Sequence, residues 1–274
     1  MINVLLNFTN LAGKKLKQHK KHIDILSNKD SSVESVVTKA DISISNLFSK
    51  TIKKNFSHLN YMVIDEERIL KEKNIFEKIN QTEYLFVIDP IDGTLQYANN
   101  HPLYGISIGV YKNTQPFLGI IYLPELNELT YFDGKQAFWV QNAFKKNAKK
   151  TEIFPKKHSS FPIIFGHPWF WKPTSKFSTK KAIFLDYFSA VSQSFYTIIG
   201  KSKAYCMNLK LWDIAGTIPI TNYLGMKIYE YGSLKIYDRI SEEYFDNNMN
   251  TKQDCILCYP DDLKEICSLI EPIR

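Results

Sequence analysis

Two short apolar runs end abruptly in clustered carboxylates, and this pattern narrows the fold more than any other feature of the chain. Tyr61-Met62-Val63-Ile64 runs into Asp65-Glu66-Glu67. Tyr84-Leu85-Phe86-Val87-Ile88 runs into Asp89-Pro90-Ile91-Asp92-Gly93-Thr94. Apolar runs this short, bounded by breaks, suit buried strands. Strands that end in acidic clusters place a site at the ends of a sheet.

The surrounding pattern supplies helices. Residues 2–28 read as an amphipathic helix, with Leu5, Phe8, Leu11, Ala12 and Leu16 at three- and four-residue steps. A polar stretch, Ser27 to Ser35, follows. Asp41 opens a second helical pattern with Ile44, Leu47, Phe48 and Ile52. Between 103 and 140, the runs Ile106–Val110, Pro116–Tyr122 and Glu128–Phe132 are separated by turn residues such as Lys112-Asn113-Thr114, which predicts an antiparallel meander. A Lys/Asn-rich connection at 145–158 is the candidate boundary, dividing the chain into 1–145 and 146–274. Beyond it, Phe184 to Gly200 contains a helical pattern. Asp213 to Leu224 reads as one helix ended by Gly225, with a kink expected at Pro219. Met226 to Tyr231 reads as a strand. The class is α/β or α+β.

Composition excludes several alternatives. The chain has 274 residues, 44% hydrophobic and 23% charged, which is a globular balance with a core that needs no disulfides. No apolar run is long enough to span a membrane, and Met1 to Asn7 lacks the basic region and cleavage site of a signal peptide. A soluble cytoplasmic protein is expected. The net charge is +7, but only Arg68, Arg239 and Arg274 carry guanidinium groups, so bidentate base or phosphate readout is scarce. The Lys14–Lys21 segment reads as a solvated helix face rather than a nucleic-acid or membrane patch. Of the four cysteines, Cys255-Ile256-Leu257-Cys258 has CxxC spacing, but Cys267 is the only further ligand nearby. Its apolar filling predicts a buried strand with free thiols.

The chemistry centres on Asp89-Pro90-Ile91-Asp92-Gly93-Thr94. Two carboxylates flank a rigid Pro, the Ile91 carbonyl lies between them, Gly93 permits a sharp turn, and Thr94 adds a hydroxyl. Oxygen-only ligands suit a hard cation such as Mg²⁺ or Mn²⁺. A helix starting near Thr94 would point free N–H groups at an anion. Asp-Pro and Asp-Gly are also ordinary turn dipeptides. The other acidic sets, Asp65-Glu66-Glu67 and Trp212-Asp213, tip the balance towards one multi-metal centre.

The sequence resembles the inositol monophosphatase family of Mg²⁺-dependent, lithium-sensitive phosphatases, whose superfamily includes 3'(2'),5'-bisphosphate nucleotidases and fructose-1,6-bisphosphatases. Asp89–Thr94 matches one signature and Trp212-Asp213-Ile214-Ala215-Gly216 the other. Val37-Thr38-Lys39-Ala40-Asp41 looks like the Thr-x-x-Asp element, and Asp65-Glu66-Glu67 like Gly-Glu-Glu. Ser107-Ile108-Gly109 and Gly119-Ile120-Ile121-Tyr122 continue the match. Order and spacing hold from about residue 12 to 232.

The resemblance implies a layered α/β/α/β/α fold with the site between two halves. It implies a phosphomonoesterase that uses a metal-activated water on a small phosphorylated metabolite, with two or three Mg²⁺ ions and Mn²⁺ as a substitute. Asp89 would bridge two metals, Glu66 and the Ile91 carbonyl would complete one site, and Asp92 and Asp213 the other. Thr94 and Glu66 would orient the attacking water, and Asp41 would polarise Thr94. The N–H groups of Gly93 and Thr94 would hold the phosphate. Ser189 and Ala190 match a position near the substrate. Homodimers are common in the family, and this sequence neither supports nor opposes one.

Several residues depart from the pattern. Asp65 replaces a Gly and is expected to add negative charge beside the site. Leu95-Gln96-Tyr97 follows neither the inositol nor the nucleotidase branch. The Glu that inositol phosphatases carry before Trp-Asp is missing from Tyr205–Leu211. Lys39 and Lys210 read equally as contacts to a second phosphate or as solvated lysines. His167, within the aromatic Phe161–Trp171 stretch, reads as part of a packed loop rather than a base-stacking wall. Inositol 1-phosphate ranks first as substrate, with a bisphosphate nucleotide close behind. A non-catalytic regulatory or RNA-binding role is the remaining alternative, and the complete ligand set argues against it.

Overall fold

The computed structural model describes residues 1–20, 25–28, 36–68, 74–154, 163–166 and 182–270. Helix α1 (Ile2–His19) is followed by the paired strands β1 (Ile25–Asn28) and β2 (Val36–Thr38), then α2 (Lys39–Phe56). Next come β3 (Tyr61–Asp65), α3 (Ile75–Asn80), β4 (Tyr84–Asp92) and the short α4 (Thr94–Ala98). A meander follows: β5 (Gly105–Lys112), β6 (Gln115–Leu123), β7 (Glu128–Phe132), β8 (Ala137–Gln141) and β9 (Lys149–Glu152). The remainder comprises β10 (Ile163–Gly166), β11 (Ile183–Leu185), α5 (Ala190–Ile198), β12 (Ala204–Met207), α6 (Leu211–Ala215), α7 (Thr217–Tyr223), β13 (Lys227–Glu230), β14 (Cys255–Cys258) and α8 (Leu263–Leu269).

The strands form a seven-stranded sheet ordered β3-β4-β5-β6-β7-β8-β9 and a five-stranded sheet ordered β11-β10-β12-β14-β13. In the larger, only β3 and β4 run parallel. Side-chain alternation along each strand sorts the layers. Phe86 and Ile88 of β4 face α1 and α2, in a core with Leu5, Phe8, Ile44 and Phe48. Leu85 and Val87 face the opposite way, into a core shared with Phe195 of α5, Ile214 of α6 and Ile218 of α7. Phe165, Tyr205 and Leu257 of the smaller sheet close that core from its far side. Ile164, Cys206 and Ile256 point outward, towards Ile266 of α8. The order is helices, sheet, helices, sheet, helix: a mixed α/β fold of five layers.

Four local expectations are corrected. The first helix ends at His19, because its buried stripe of Leu5, Phe8, Ala12 and Leu16 has no apolar successor, and Ile25–Asn28 is a strand. Leu11 lies off that stripe and is exposed. Within the 145–158 connection, Lys149–Glu152 pairs with β8 as the last strand of the large sheet. The helix expected from Asp213 to Leu224 is two helices broken at Gly216. Pro219 therefore falls in the first turn of α7, where backbone N–H groups have no intrahelical partner, and it kinks nothing.

The CxxC segment is β14, with Cys255 and Cys258 both buried. Burial pushes the Cys255 thiol up to about 12, so it stays protonated. Lysines of α1 are tethered within the fold: Lys17 bonds Asn127 at 2.9 Å and Lys20 bonds Glu125 at 3.1 Å. Ile163–Gly166 of the aromatic stretch is β10, and His167 to Trp171 lie outside the described residues. Among the described residues no helix is long and apolar enough to cross a membrane.

Candidate metal centre

The site forms where β4 ends. Asp89 and Asp92 are three residues apart, so a regular strand would send them to opposite faces. The pairing of β4 with β5 is irregular between Asp89 and Asp92, and this break turns both carboxylates the same way. Asp213 arrives from α6. One carboxylate oxygen from each of Asp89, Asp92 and Asp213 lies within 4.8 Å of the others. They line a cavity of ≈ 230 Å³ together with Glu66, Ile91, Gly93, Thr94, Ser189 and Ala190.

Each carboxylate is held by backbone or hydroxyl donors. Asp89 accepts from the Ile91 N–H at 3.0 Å. Asp92 accepts from the Ser189 hydroxyl, from Ala190 N–H at 3.1 Å and from Val191 N–H at 2.8 Å. It therefore sits on the N-terminus of α5, where aligned N–H groups favour a negative charge. Asp213 accepts from the Lys210 N–H at 2.9 Å. Gly93 adopts φ +76°, which a side chain tolerates poorly, and a Cβ there would press on Ser189 at 3.0 Å. That turn ends β4 and starts α4. The Thr94 hydroxyl folds back to donate to the Ile91 carbonyl at 2.9 Å.

Asp213 is positioned by close backbone packing. Gly109 of β5 pairs with Gly119 of β6, and α6 and α7 lie directly on this bare strip of sheet. A Cβ on Gly109 would stand 2.3 Å from the Ala215 carbonyl oxygen, and one on Gly119 2.3 Å from that of Gly216. The buried Ser107 hydroxyl accepts from Gly216 N–H at 3.0 Å, and Tyr111 donates to the Ala215 carbonyl at 3.0 Å. Those contacts give the Ser107–Gly109, Gly119 and Trp212–Gly216 elements one shared physical purpose.

The electrostatics favour a bound cation. Burial, then the charges of Glu66, Asp92 and Asp213, push the Asp89 carboxyl well above its ordinary range. Burial, then Asp92 and Glu66, raise Asp213 to about 8. Burial raises Asp92 to about 6, against the hydrogen bonds from Ser189, Val191 and Ala190 that pull it down. Clustered buried carboxylates resist ionising together unless positive charge joins them. The donors are all oxygens, which fits a hard divalent ion such as Mg²⁺.

Some expected partners fall elsewhere. Asp41 is buried and forms the capping box of α2, accepting from the Thr38 N–H at 2.8 Å and hydroxyl at 2.6 Å. Burial raises it to about 7. It is not hydrogen-bonded to Thr94 and does not line the cavity. Asp65 turns away from the cavity, because neighbouring residues of a strand face opposite sides. It accepts from Ser45 at 2.6 Å and from Glu67 N–H at 3.0 Å, so it does not line the cavity, although its charge still acts on Glu66. The Lys210 ammonium lies over the Trp212 ring, 5.3 Å from its centroid, rather than in the cavity. Ser189 and Ala190 spend their hydrogen bonds on Asp92. The sequence reading missed Leu95, Phe188, Gln193, Tyr205 and Leu209, which also line the cavity. Only Gln193 had a signal, standing four residues after Ser189 and hence on the same helix face.

The sequence model described as the inositol monophosphatase family matches residues 1–233. A fructose-1,6-bisphosphatase/inositol-1-monophosphatase of Thermotoga maritima is 37% identical over 86 residues, covering 28% of this chain and 32% of its own. The 3'(2'),5'-bisphosphate nucleotidase CysQ of Haemophilus influenzae is 27% identical over 162 residues, covering 59% and 55%. The matches thus span between a third and just over half the length of these curated relatives. A solved IMPase/NADP phosphatase complexed with Mg²⁺ and phosphate superposes with a TM-score of 0.76 at 16% identity, over 99% of this chain and 97% of that one.

Proposed function

The chain belongs to the inositol monophosphatase family, and we propose that it is a Mg²⁺-dependent phosphomonoesterase acting on an inositol-1-phosphate-type substrate. The observation that carries this reading is the convergence of Asp89, Asp92 and Asp213 on one cavity beside Gly93 and Thr94. In this reading Asp89, Asp92, Asp213, Glu66 and the Ile91 carbonyl would hold the cations. When bound, the ions offset the phosphate's charge and lower the pKa of water. Mn²⁺ substitutes through the same oxygen donors.

The chain's own residues do the rest. Gly93 and Thr94 present backbone N–H groups to the phosphate. Thr94 and Glu66 orient the attacking water in line with the leaving alcohol, and Glu66 accepts its proton. Asp41 is left out of this relay, since it caps α2. The site uses residues from both 1–145 and 146–274, so neither half is competent alone. Lithium inhibition follows from the resemblance.

The nucleotidase alternative rests on the likeness to CysQ. Against it, no Lys or Arg lines the cavity among the described residues. The test is kcat/KM on inositol 1-phosphate, adenosine 3',5'-bisphosphate and fructose 1,6-bisphosphate, with Mg²⁺ and with chelator. Inositol 1-phosphate should be the best of the three and only with Mg²⁺. A preference for the bisphosphate nucleotide would overturn the substrate, and turnover in chelator would overturn the metal.

A further inference from the structure

Glu66 lines the cavity, and the turn that carries it is fastened to α2 at both ends. Residues 65–68 close on themselves. The Arg68 N–H donates to the Asp65 carbonyl at 2.9 Å, and the Glu67 N–H donates to the Asp65 carboxylate at 3.0 Å. Glu66 is the second residue of this turn, so the turn sets where its side chain leaves the backbone. The other Asp65 oxygen accepts from the Ser45 hydroxyl of α2 at 2.6 Å. At the far end, the Arg68 guanidinium donates to Ser49 at 3.1 Å and to Asn46. Ser45 and Ser49 stand one helical turn apart, so these residues make a polar strip beside the core stripe of Ile44, Phe48 and Ile52. Asp65 pairs with Ile88 of β4, whose side chain lies in the core under α1 and α2. Asp65 is 2% exposed in that apolar layer, where burying a carboxylate costs folding free energy. Burial raises its carboxyl above the ordinary range and the Glu66 charge adds to this, against the bonds from Ser45 and Glu67.

We propose that Asp65 is a positioning residue: anchored by Ser45, it holds Glu66 at the cation site without itself touching a cation. This rests on the phosphomonoesterase reading and adds what fixes Glu66. One side chain performs both tasks. Its first oxygen closes the turn from within, and its second docks the turn on α2. An apolar residue would fill the same layer but make neither bond. A Gly, which the family pattern places here, makes neither bond too, so the device belongs to this chain. The sequence supplies both partners together, since Ser45 is one turn along the helix that Asp41 caps. The second grip, from Arg68 to Asn46 and Ser49, keeps the exit of the turn on the same strip.

Direct Mn²⁺ binding, read from the free-ion signal in electron paramagnetic resonance, tests this without turnover. Asp65→Ala should weaken Mn²⁺ binding about three- to tenfold, and Ser45→Ala should weaken it in the same direction although Ser45 does not line the cavity. Asp65→Asn keeps an oxygen for the Glu67 N–H and gains an N–H for Ser45, so it should bind within about twofold of wild type. Combined with Glu66→Ala, Asp65→Ala should weaken binding by less than about twofold further, because its effect travels through Glu66. Variants that melt lower with Mn²⁺ affinity unchanged would show a structural role only and overturn the proposal. Asp65→Asn binding as weakly as Asp65→Ala would make the charge itself the cause and overturn it too. So would a full effect of Asp65→Ala in the Glu66→Ala protein. Should Asp65→Ala fail to fold, Ser45→Ala decides between the same outcomes. Each of these reversals leaves the phosphatase reading standing, whereas a wild type that binds no Mn²⁺ would remove both.

Discussion

Replacing Asp89 with Asn is expected to abolish most activity while making the metal-free protein more stable. Asp89 is the most enclosed carboxylate of the cluster, with Glu66, Asp92 and Asp213 all acting on it. On the proposed reading Asp89 would hold more than one cation and would have no substitute, so turnover should fall about a thousandfold or more, and extra Mg²⁺ should not restore it. Stability moves the other way. Asp92 and Asp213 have folded pKa values of about 6 and about 8, above the ordinary 3.8. Without metal, the folded protein therefore holds protons that the unfolded chain has released. The stability they contribute is complete below pH 3.8 and is lost as pH rises through about 6 and then about 8. Metal-free wild type should melt lower at pH 8 than at pH 6, and Mg²⁺ should reverse this by binding only the folded state. Asp89→Asn replaces a carboxyl whose ionisation the cluster opposes with an amide that cannot ionise. Its metal-free melting temperature should exceed that of wild type, and its Mg²⁺-induced rise should be smaller. A variant that keeps normal turnover, or melts below metal-free wild type, would contradict this placement.

The second large effect is expected far from any ligand atom. Gly109→Ala would put a methyl group 2.3 Å from the Ala215 carbonyl oxygen and 2.9 Å from the Ala215 Cβ. Both obstacles are held on the backbone of α6, so no rotamer change relieves them. The helix must withdraw by about an ångström, and overpacking of this kind costs about 1–3 kcal/mol. For a chain of this size that is a fall of about 3–10 °C in melting temperature. Withdrawal also strains the bonds from Tyr111 to the Ala215 carbonyl and from Gly216 N–H to Ser107. Asp213 stands two residues before Ala215 and moves with it. A displacement near an ångström costs about a hundredfold in rate. Saturating Mg²⁺ should recover part of this loss, because the ion pulls Asp213 back. Thermal melting together with a Mg²⁺ titration of activity tests the pair of effects, and unchanged melting would show that the strip of glycines has room.

What was readable in the chain depended on how local the cause was. The Asp89–Thr94 turn, the start of α2 near Asp41 and the buried β14 follow from neighbouring residues, and each is visible in sequence. The end of α1 and the existence of β9 depend on what surrounds them, so periodicity alone misplaced the one and missed the other. Pro219 looked like a kink because the break at Gly216 carries no local signal; Gly216 lies against Ile120, far away in sequence, whose carbonyl would lie 2.3 Å from any Cβ there. Asp65 was expected at the site by adjacency to Glu66. The alternation of a strand sends neighbours to opposite faces, and Ser45 on α2 settles which way it points. Phe188 carried no motif at all, and Gln193 only its spacing from Ser189. They stand out only as lining of the cavity.

The central claim is that Asp89, Asp92 and Asp213 hold the cations that act on a phosphate lying against Gly93 and Thr94. A crystal soaked in Mn²⁺ and inorganic phosphate, measured for anomalous scattering, tests this most directly. The account predicts two anomalous peaks about 3.5–4 Å apart, bounded by these carboxylates and Glu66, with phosphate oxygens on the metals and on the backbone N–H groups of Gly93 and Thr94. Manganese bound elsewhere with these carboxylates left bare, or phosphate bound away from the Gly93 turn, would contradict it.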